Sequence, residues 1–262
     1  MDLGLQDAVV LITGGSKGIG LACARGFAAE FARVAIASRD EGNLKRAVAA
    51  LEADGIEVLP VVADLAHPDQ AACMVRSVEA QLGPVSVLVN SAGAAQRTPP
   101  AELTAAHWHA AMQAKYFTYI HAMDAVLQGM VERGGGVIVN VIGMGGKIAS
   151  PTHLPGGAAN AALMLASAGL ANAFAAKGVR VNAVNPGLTA TDRVQEGLEA
   201  EARLAGCSVE EVMAQRLRSL PMGRIAQASD VADAVVFLAS KRAAYLNGAI
   251  VSLDGAATPM VV

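Results

Sequence analysis

Thr13–Gly20 reads Thr-Gly-Gly-Ser-Lys-Gly-Ile-Gly, a spacing suited to holding phosphate. Gly14 permits a tight turn, Gly18 lets backbone approach a pyrophosphate, and Gly20 lets a helix pack close to the strand before it. Ser16, Lys17 and Ile19 complete the turn. The helix that follows presents free N–H groups and the positive end of its dipole. The spacing is G-x-x-x-G-x-G, not the commoner G-x-G-x-x-G; its weight comes from the apolar run before it and the helical stretch after it. Arg39 closes the second apolar run. Its planar fork suits a ribose 2′-phosphate, whereas an acidic side chain at this point would take a 2′-hydroxyl. Lys17 adds positive charge nearby, and Asp40 follows Arg39. The balance favours NADP(H) over NAD(H).

Two further side chains can move protons. At about 100° per residue along Thr104–Glu132, Lys115 falls with Trp108, Tyr119, Ala122 and Val126, opposite His109, Gln113, Asp124 and Gln128. An ammonium on an apolar face is paired, functional or snorkelling to the surface, and burial would lower its pKa towards a useful range. His153 lies in a loop, where an imidazole can exchange a proton with a carbonyl or alcohol, or stand exposed without a role. Ser150 and Thr152 are nearby hydroxyls, and Tyr119 reads first as packing. His107 and His109 point to different sides of their helix, so no metal site is indicated.

The elements that position these residues alternate. Apolar, valine-rich runs at Ala8–Thr13, Arg33–Ser38, Glu57–Ala63, Val85–Asn90, Gly136–Ile142, Val179–Asn185 and Ala249–Leu253 read as strands buried on both faces. Helical stretches lie between them at Leu21–Phe31, Glu41–Ala53, Pro68–Leu82, Thr104–Glu132, Gly157–Lys177 and Ser229–Ser240. Asp40 is placed to cap the second helix and Ser229–Asp233 to start the last. The expected fold is α/β: a single doubly wound Rossmann domain over 1–262, with a seven-stranded parallel sheet and helices on both faces. Thr191–Leu220 is a helical insertion expected on the substrate side, or else a surface excursion.

Composition narrows the partners. The 262 residues are 53% hydrophobic and 16% charged, which excludes a disordered chain. A net charge of −3 without a basic block argues against nucleic acid. Cys23, Cys73 and Cys207 are scattered, as in a reducing cytoplasm, and the N-terminus has no signal-peptide pattern. Leu154–Ala176 carries no charge and has the length of a membrane span, but Pro155, Gly156, Gly157, Asn160 and Asn172 favour a buried or interface helix.

Five segments together resemble the short-chain dehydrogenase/reductase family over nearly the whole chain. They are Thr13–Gly20, Ala63-Asp64-Leu65, Asn90-Ser91-Ala92-Gly93, Asn185-Pro186-Gly187-Leu188-Thr189 and Leu253-Asp254-Gly255-Ala256. The resemblance implies an adenine contact at Asp64 and Leu65, cofactor contacts at Asn90, Ala92 and Gly93, and a nicotinamide turn at Pro186, Gly187 and Thr189. It also implies a homodimer or homotetramer. The family's asparagine, serine, tyrosine and lysine fall on Lys115, Gly143, Gly156 and Asn160, so the chain is similar to a divergent subgroup without them. The expected function is hydride transfer to or from a small-molecule carbonyl or secondary alcohol, with a non-standard proton donor. Lys115 and His153 would replace the missing acid, and Asn160 would hydrogen-bond the ribose. A catalytically silent NADP(H)-binding subunit is the alternative, and another Rossmann enzyme, such as a methyltransferase, a third.

Overall fold

The computed structural model describes residues 2–93 and 95–260. Seven parallel strands form one sheet: β1 Val9–Thr13, β2 Arg33–Ser38, β3 Val58–Val62, β4 Val87–Asn90, β5 Gly136–Val141, β6 Val179–Pro186 and β7 Ile250–Leu253. Their order is β3-β2-β1-β4-β5-β6-β7. The order reverses between β1 and β4, which opens a crevice beyond their carboxyl ends. The strand period of two divides each strand between two cores. Leu11, Ala35, Leu88 and Ile138 face α3 (Pro68–Leu82), α5 (Thr118–Glu132) and α6 (Leu154–Phe174). Val10, Ile12, Val34 and Ile36 face α1 (Gly18–Ala29), α2 (Glu41–Ala53) and α9 (Ala228–Ala239).

The parallel register sets three polar residues side by side at one level: Thr13 pairs with Asn90, and Asn90 with Asn140. All three are fully buried. The Thr13 hydroxyl donates to Asn90 Oδ1 (3.1 Å), Asn90 Nδ2 to Asn140 Oδ1 (3.0 Å), and Asn140 Nδ2 to Ser167 Oγ (2.9 Å). Ser167 in turn donates to the carbonyl of Leu163. The chain of bonds ties β1, β4 and β5 to α6 without leaving a buried polar group wanting.

Helices Glu41–Ala53 and Pro68–Leu82 begin and end where the sequence places them. Asp40 caps α2 through the N–H of Asn43. The last helix starts one residue early, at Ala228, with Gln227 and Asp230 in a reciprocal cap. The α6 helix starts three residues earlier than expected, because Pro155 fits its first turn.

The expected single helix over Thr104–Glu132 is the larger correction. It divides into α4 (Ala105–Ala111), a π-helical segment (Met112–Phe117) and α5. The wider π turn rotates α4 relative to α5. Tyr119, Ala122 and Val126 are buried as expected, whereas Trp108 is 40% exposed.

After β6 the chain forms α7 (Asp192–Ala205) and α8 (Val209–Ser219), which share a small apolar core of Leu198, Ala202 and Val212. Paired backbone bonds between the Leu188–Ala190 strip and Ala226 tie the two ends of this excursion together. Pro151–Lys177 has the length and apolar composition to cross a membrane. Here most of it is α6, which packs against β6 and the loop after β5.

Candidate active site

The glycine turn leaves β1 at the crevice. Gly14 takes φ +66°, and a Cβ there would lie 2.7 Å from the backbone of Ala92. A Cβ on Gly20 would lie 2.3 Å from the carbonyl oxygen of Gly14. Only glycine lets the turn fold back on the start of α1. Lys17 precedes α1 and no side chain caps its first turn, so the N–H groups there are available to phosphate oxygens. Lys17 and Arg39 are exposed on this side.

Other residues singled out in the sequence line the same edge. Ile19, Gly93, Pro186, Gly187 and Thr189 line a cleft of about 670 Å³ that also holds Lys115, His153 and Asn160. Gly187 sits tightly on Asp254, where a Cβ would lie 2.9 Å from the aspartate's Cβ. Asp64 is half-buried, and its Oδ1 accepts the N–H of Ala66. Leu65 is buried beside it. Asn90 differs from expectation: its amide is enclosed between Thr13 and Asn140. The side chain therefore holds the sheet rather than reaching into the cleft. Ala92 donates its N–H to the Thr13 hydroxyl, so the loop after β4 is pinned to β1.

Lys115 lies in the π-helical segment and is 7% exposed. Its Nζ donates to the Tyr119 hydroxyl (2.9 Å) and to the Val141 carbonyl (3.2 Å). Tyr119 itself donates to Val141 and carries the ammonium 4.5 Å from its ring centre. Tyr119, which reads as packing in the sequence, is thus the support that aims Lys115. The signal for it is the spacing of four between a lysine and a tyrosine on an apolar face.

Three glycines, 143, 145 and 156, lie against His153 and Asn160. The imidazole lies against Gly156: a Cβ on that glycine would fall 2.1 Å from His153 Cε1 and 2.5 Å from Nε2. A Cβ on Gly145 would lie 3.0 Å from His153 Cδ2. On Gly143 or Gly145, it would lie 3.5 Å from Asn160 Nδ2. The imidazole therefore fills the space into which a side chain at position 156 would grow. His153 has its pKa pushed down to about 4, first by burial and then by the positive charges of Arg97 and Lys115. At neutral pH it is a neutral imidazole.

Two buried polar atoms in this region have no hydrogen-bond partner among the described residues: His153 Nδ1 and Asn160 Oδ1. Buried polar atoms ordinarily find partners. An acceptor at Asn160 beside the Pro186–Thr189 turn fits the hydroxyls of a nicotinamide ribose, and the open first turn of α1 fits the phosphates of the same molecule. Among the described residues, no group of three His, Cys, Asp or Glu side chains is placed to hold a metal. Ser150 lines the cleft, while Thr152 is buried and its hydroxyl faces Arg97 Nη1 at 3.5 Å.

The shared volume at 153 and 156 makes a measurable coupling. Gly156→Ala is expected to destabilise the protein by about 1–3 kcal/mol in urea denaturation. The cost shrinks by about 1 kcal/mol or more when His153 is also changed to alanine. Some cost remains, because Ala95 Cβ also lies 2.8 Å from the new methyl position. Strictly additive effects of the two substitutions would refute the shared space.

Comparison with known proteins agrees with this geometry. The family model described as short chain dehydrogenase matches residues 8–202. The 2-(S)-hydroxypropyl-CoM dehydrogenase 3 of Xanthobacter autotrophicus is 35% identical over 255 residues, covering 97% of this chain and 98% of the relative. Galactitol 2-dehydrogenase (L-tagatose-forming) of Cereibacter sphaeroides is 35% identical over 256 residues, covering 97% and 96%. Among solved structures, a variant of actinorhodin polyketide ketoreductase with NADPH superposes with a TM-score of 0.93 at 30% identity, covering 97% of this chain and 98% of that one. An NADPH-bound short-chain oxidoreductase from Pseudomonas aeruginosa PAO1, described as containing an atypical catalytic center, gives a TM-score of 0.87 at 31% identity, covering 98% and 99%. The glycine turn, the switch-point cleft and these matches together make the chain a member of the short-chain dehydrogenase/reductase family, an NAD(P)-dependent oxidoreductase.

Proposed function

We propose that the protein transfers hydride between NADP(H) and a small carbonyl compound or secondary alcohol, with Lys115 in place of the family's usual proton donor. The observation that carries this reading is the Lys115 ammonium, held in the cleft by Tyr119 and Val141 a short way from His153 and Asn160. The nicotinamide, when bound, supplies or accepts the hydride. In the reductive direction the substrate's C=O π bond opens as its carbon gains hydride, and the oxygen gathers negative charge. Lys115 gives that oxygen a proton and becomes a neutral amine, which regains a proton from solvent. His153, neutral at the working pH, donates a hydrogen bond that polarises the carbonyl. It is too weakly basic to carry the proton itself at neutral pH. Asn160 Oδ1 would accept a hydroxyl of the nicotinamide ribose and so help hold the cofactor. Alcohol oxidation runs these steps in reverse, with neutral Lys115 as base.

Two features support NADP(H) over NAD(H). Arg39 is exposed at the end of β2 and makes no ion pair among the described residues. The adjacent Asp40 directs its carboxylate into the first turn of α2, away from the role of ribose acceptor. Apolar side chains on the outer faces of α6 and the π-helical segment support a homodimer or homotetramer: Leu165 is 77% exposed and Phe117 39%.

Three outcomes are expected. Lys115→Met lowers kcat about 100-fold or more, while fluorescence titration gives NADPH binding within about threefold of the parent; full turnover in this variant would remove Lys115 from the chemistry. Arg39→Ala weakens NADPH binding about 10-fold or more and leaves NADH within about twofold; equal losses for both would remove the 2′-phosphate contact. Sedimentation at micromolar concentration shows a dimer or tetramer, and a monomer there would discard the interface.

A further inference from the structure

The cleft as a whole carries more positive charge than the chemistry above requires. Among the described residues lining it, four are cationic (Arg97, Lys115, Arg203 and Arg216) and two are acidic (Glu199 and Glu201). The chain as a whole has a net charge of −3, so the excess is local.

Arg97 is the residue to explain. It sits in the loop after β4, with its side chain 34% exposed, between the Thr152 turn and α7. The guanidinium crosses α7 at Gly197, where a Cβ would lie 3.1 Å from Arg97 Nε. Among the described residues its two polar neighbours are both distant: Thr152 Oγ1 at 3.5 Å and Glu201 Oε1 at 3.8 Å. Glu201 is already held by Arg216 through two bonds, at 2.7 and 3.0 Å. One carboxylate thus faces two guanidiniums and serves Arg216. Among the described residues this largely buried guanidinium has no closer acceptor, so they do not supply the compensation that burying charge requires. Its planar fork of N–H donors suits a two-oxygen anion.

We propose that the substrate carries, besides its carbonyl or alcohol, an oxyanionic group (carboxylate, sulfonate or phosphate) received by Arg97, a reading that rests on hydride transfer occurring in this cleft. The anion reaches Arg97 from the cleft that Arg97 lines and completes the charge balance that Glu201 leaves open. Arg97 lies close enough to His153 for its charge to act on the imidazole. Arg97, His153 and Lys115 line the same cleft, so one small molecule can present its anionic group to Arg97 and its carbonyl to the other two. Compact oxo acids and hydroxy acids fit this description, and their neutral counterparts leave Arg97 unsatisfied.

The test uses acetoacetate and levulinate, each against its neutral primary amide, with the full-length protein and NADPH. The expected kcat/KM favours acid over amide by about 10-fold or more. In Arg97→Met the preference falls to about one, with amide turnover within about threefold of the parent. Glu201→Gln, which frees Arg97, raises the preference. A second arm measures calorimetric binding of the same four compounds to the NADPH-loaded Lys115→Met protein, where no turnover is needed. Tighter binding of the acids there, abolished by adding Arg97→Met, supports the anion site even if the parent reduces none of them; that outcome would sink the hydride-transfer assignment alone. Amides equal to acids in both arms, or Arg97→Met lowering both alike, would overturn the anion site and leave the oxidoreductase reading standing. Absence of both turnover and binding for the acids would also overturn it.

Discussion

The buried chain of hydrogen bonds from Thr13 through Asn90 and Asn140 to Ser167 is the constraint on which the site depends. Its three strand members, Thr13, Asn90 and Asn140, lie at one level because parallel strands in register place equivalent residues side by side. Each amide or hydroxyl uses its neighbour, and removal of one leaves a fully buried partner unsatisfied at a cost of about 1–3 kcal/mol. The loop after β1 holds the glycine turn, the loop after β4 holds Gly93 and Arg97, and the loop after β5 leads to His153 and Asn160. Fixing β1, β4, β5 and α6 to one another fixes the distances between all three loops.

On that frame the end of the cleft beside β5 is lined by His153, Asn160, Lys115 and glycines. Glycines at 143, 145 and 156 leave space beside His153 and Asn160, and the imidazole of His153 fills the part above Gly156. Burial and two neighbouring cations hold it neutral. The π-helical segment carries Lys115 inward, where Tyr119 receives it. A π turn in a helix is a recurrent device for aiming a side chain that regular α spacing would place elsewhere. The opposite wall is built from the α7–α8 excursion, whose ends are tied to each other beside β6. It brings Glu201 and Arg216 to the cleft against Arg97, so the charge of the wall comes from segments distant in sequence.

Much of the fold is legible from residues alone. Continuous valine-rich runs can be buried on both faces only in a parallel sheet flanked by helices, and all seven strands lie where those runs lie. Asp40 and Pro68 announce two helix starts through local chemistry. The glycine turn is legible for the same reason, since its geometry needs residues without a Cβ at fixed short spacings. Lys115 and Tyr119 stand one turn apart on an apolar face, and that pairing survives the helix irregularity. Trp108 does not follow it, because an evenly wound wheel cannot anticipate a π turn. Asn140 and its partners on β4 and α6 emerge only in the folded chain.

The sequence by itself determined the sheet and the glycine turn, because those features follow from short-range periodicity and from the steric limits of single residues. Only the tertiary structure decided that Asn90 works within the sheet and that His153 occupies the space above Gly156. It alone showed that Arg97 shares Glu201 with Arg216. These outcomes depend on which atoms from remote segments occupy the same few cubic ångströms, and no local pattern encodes that.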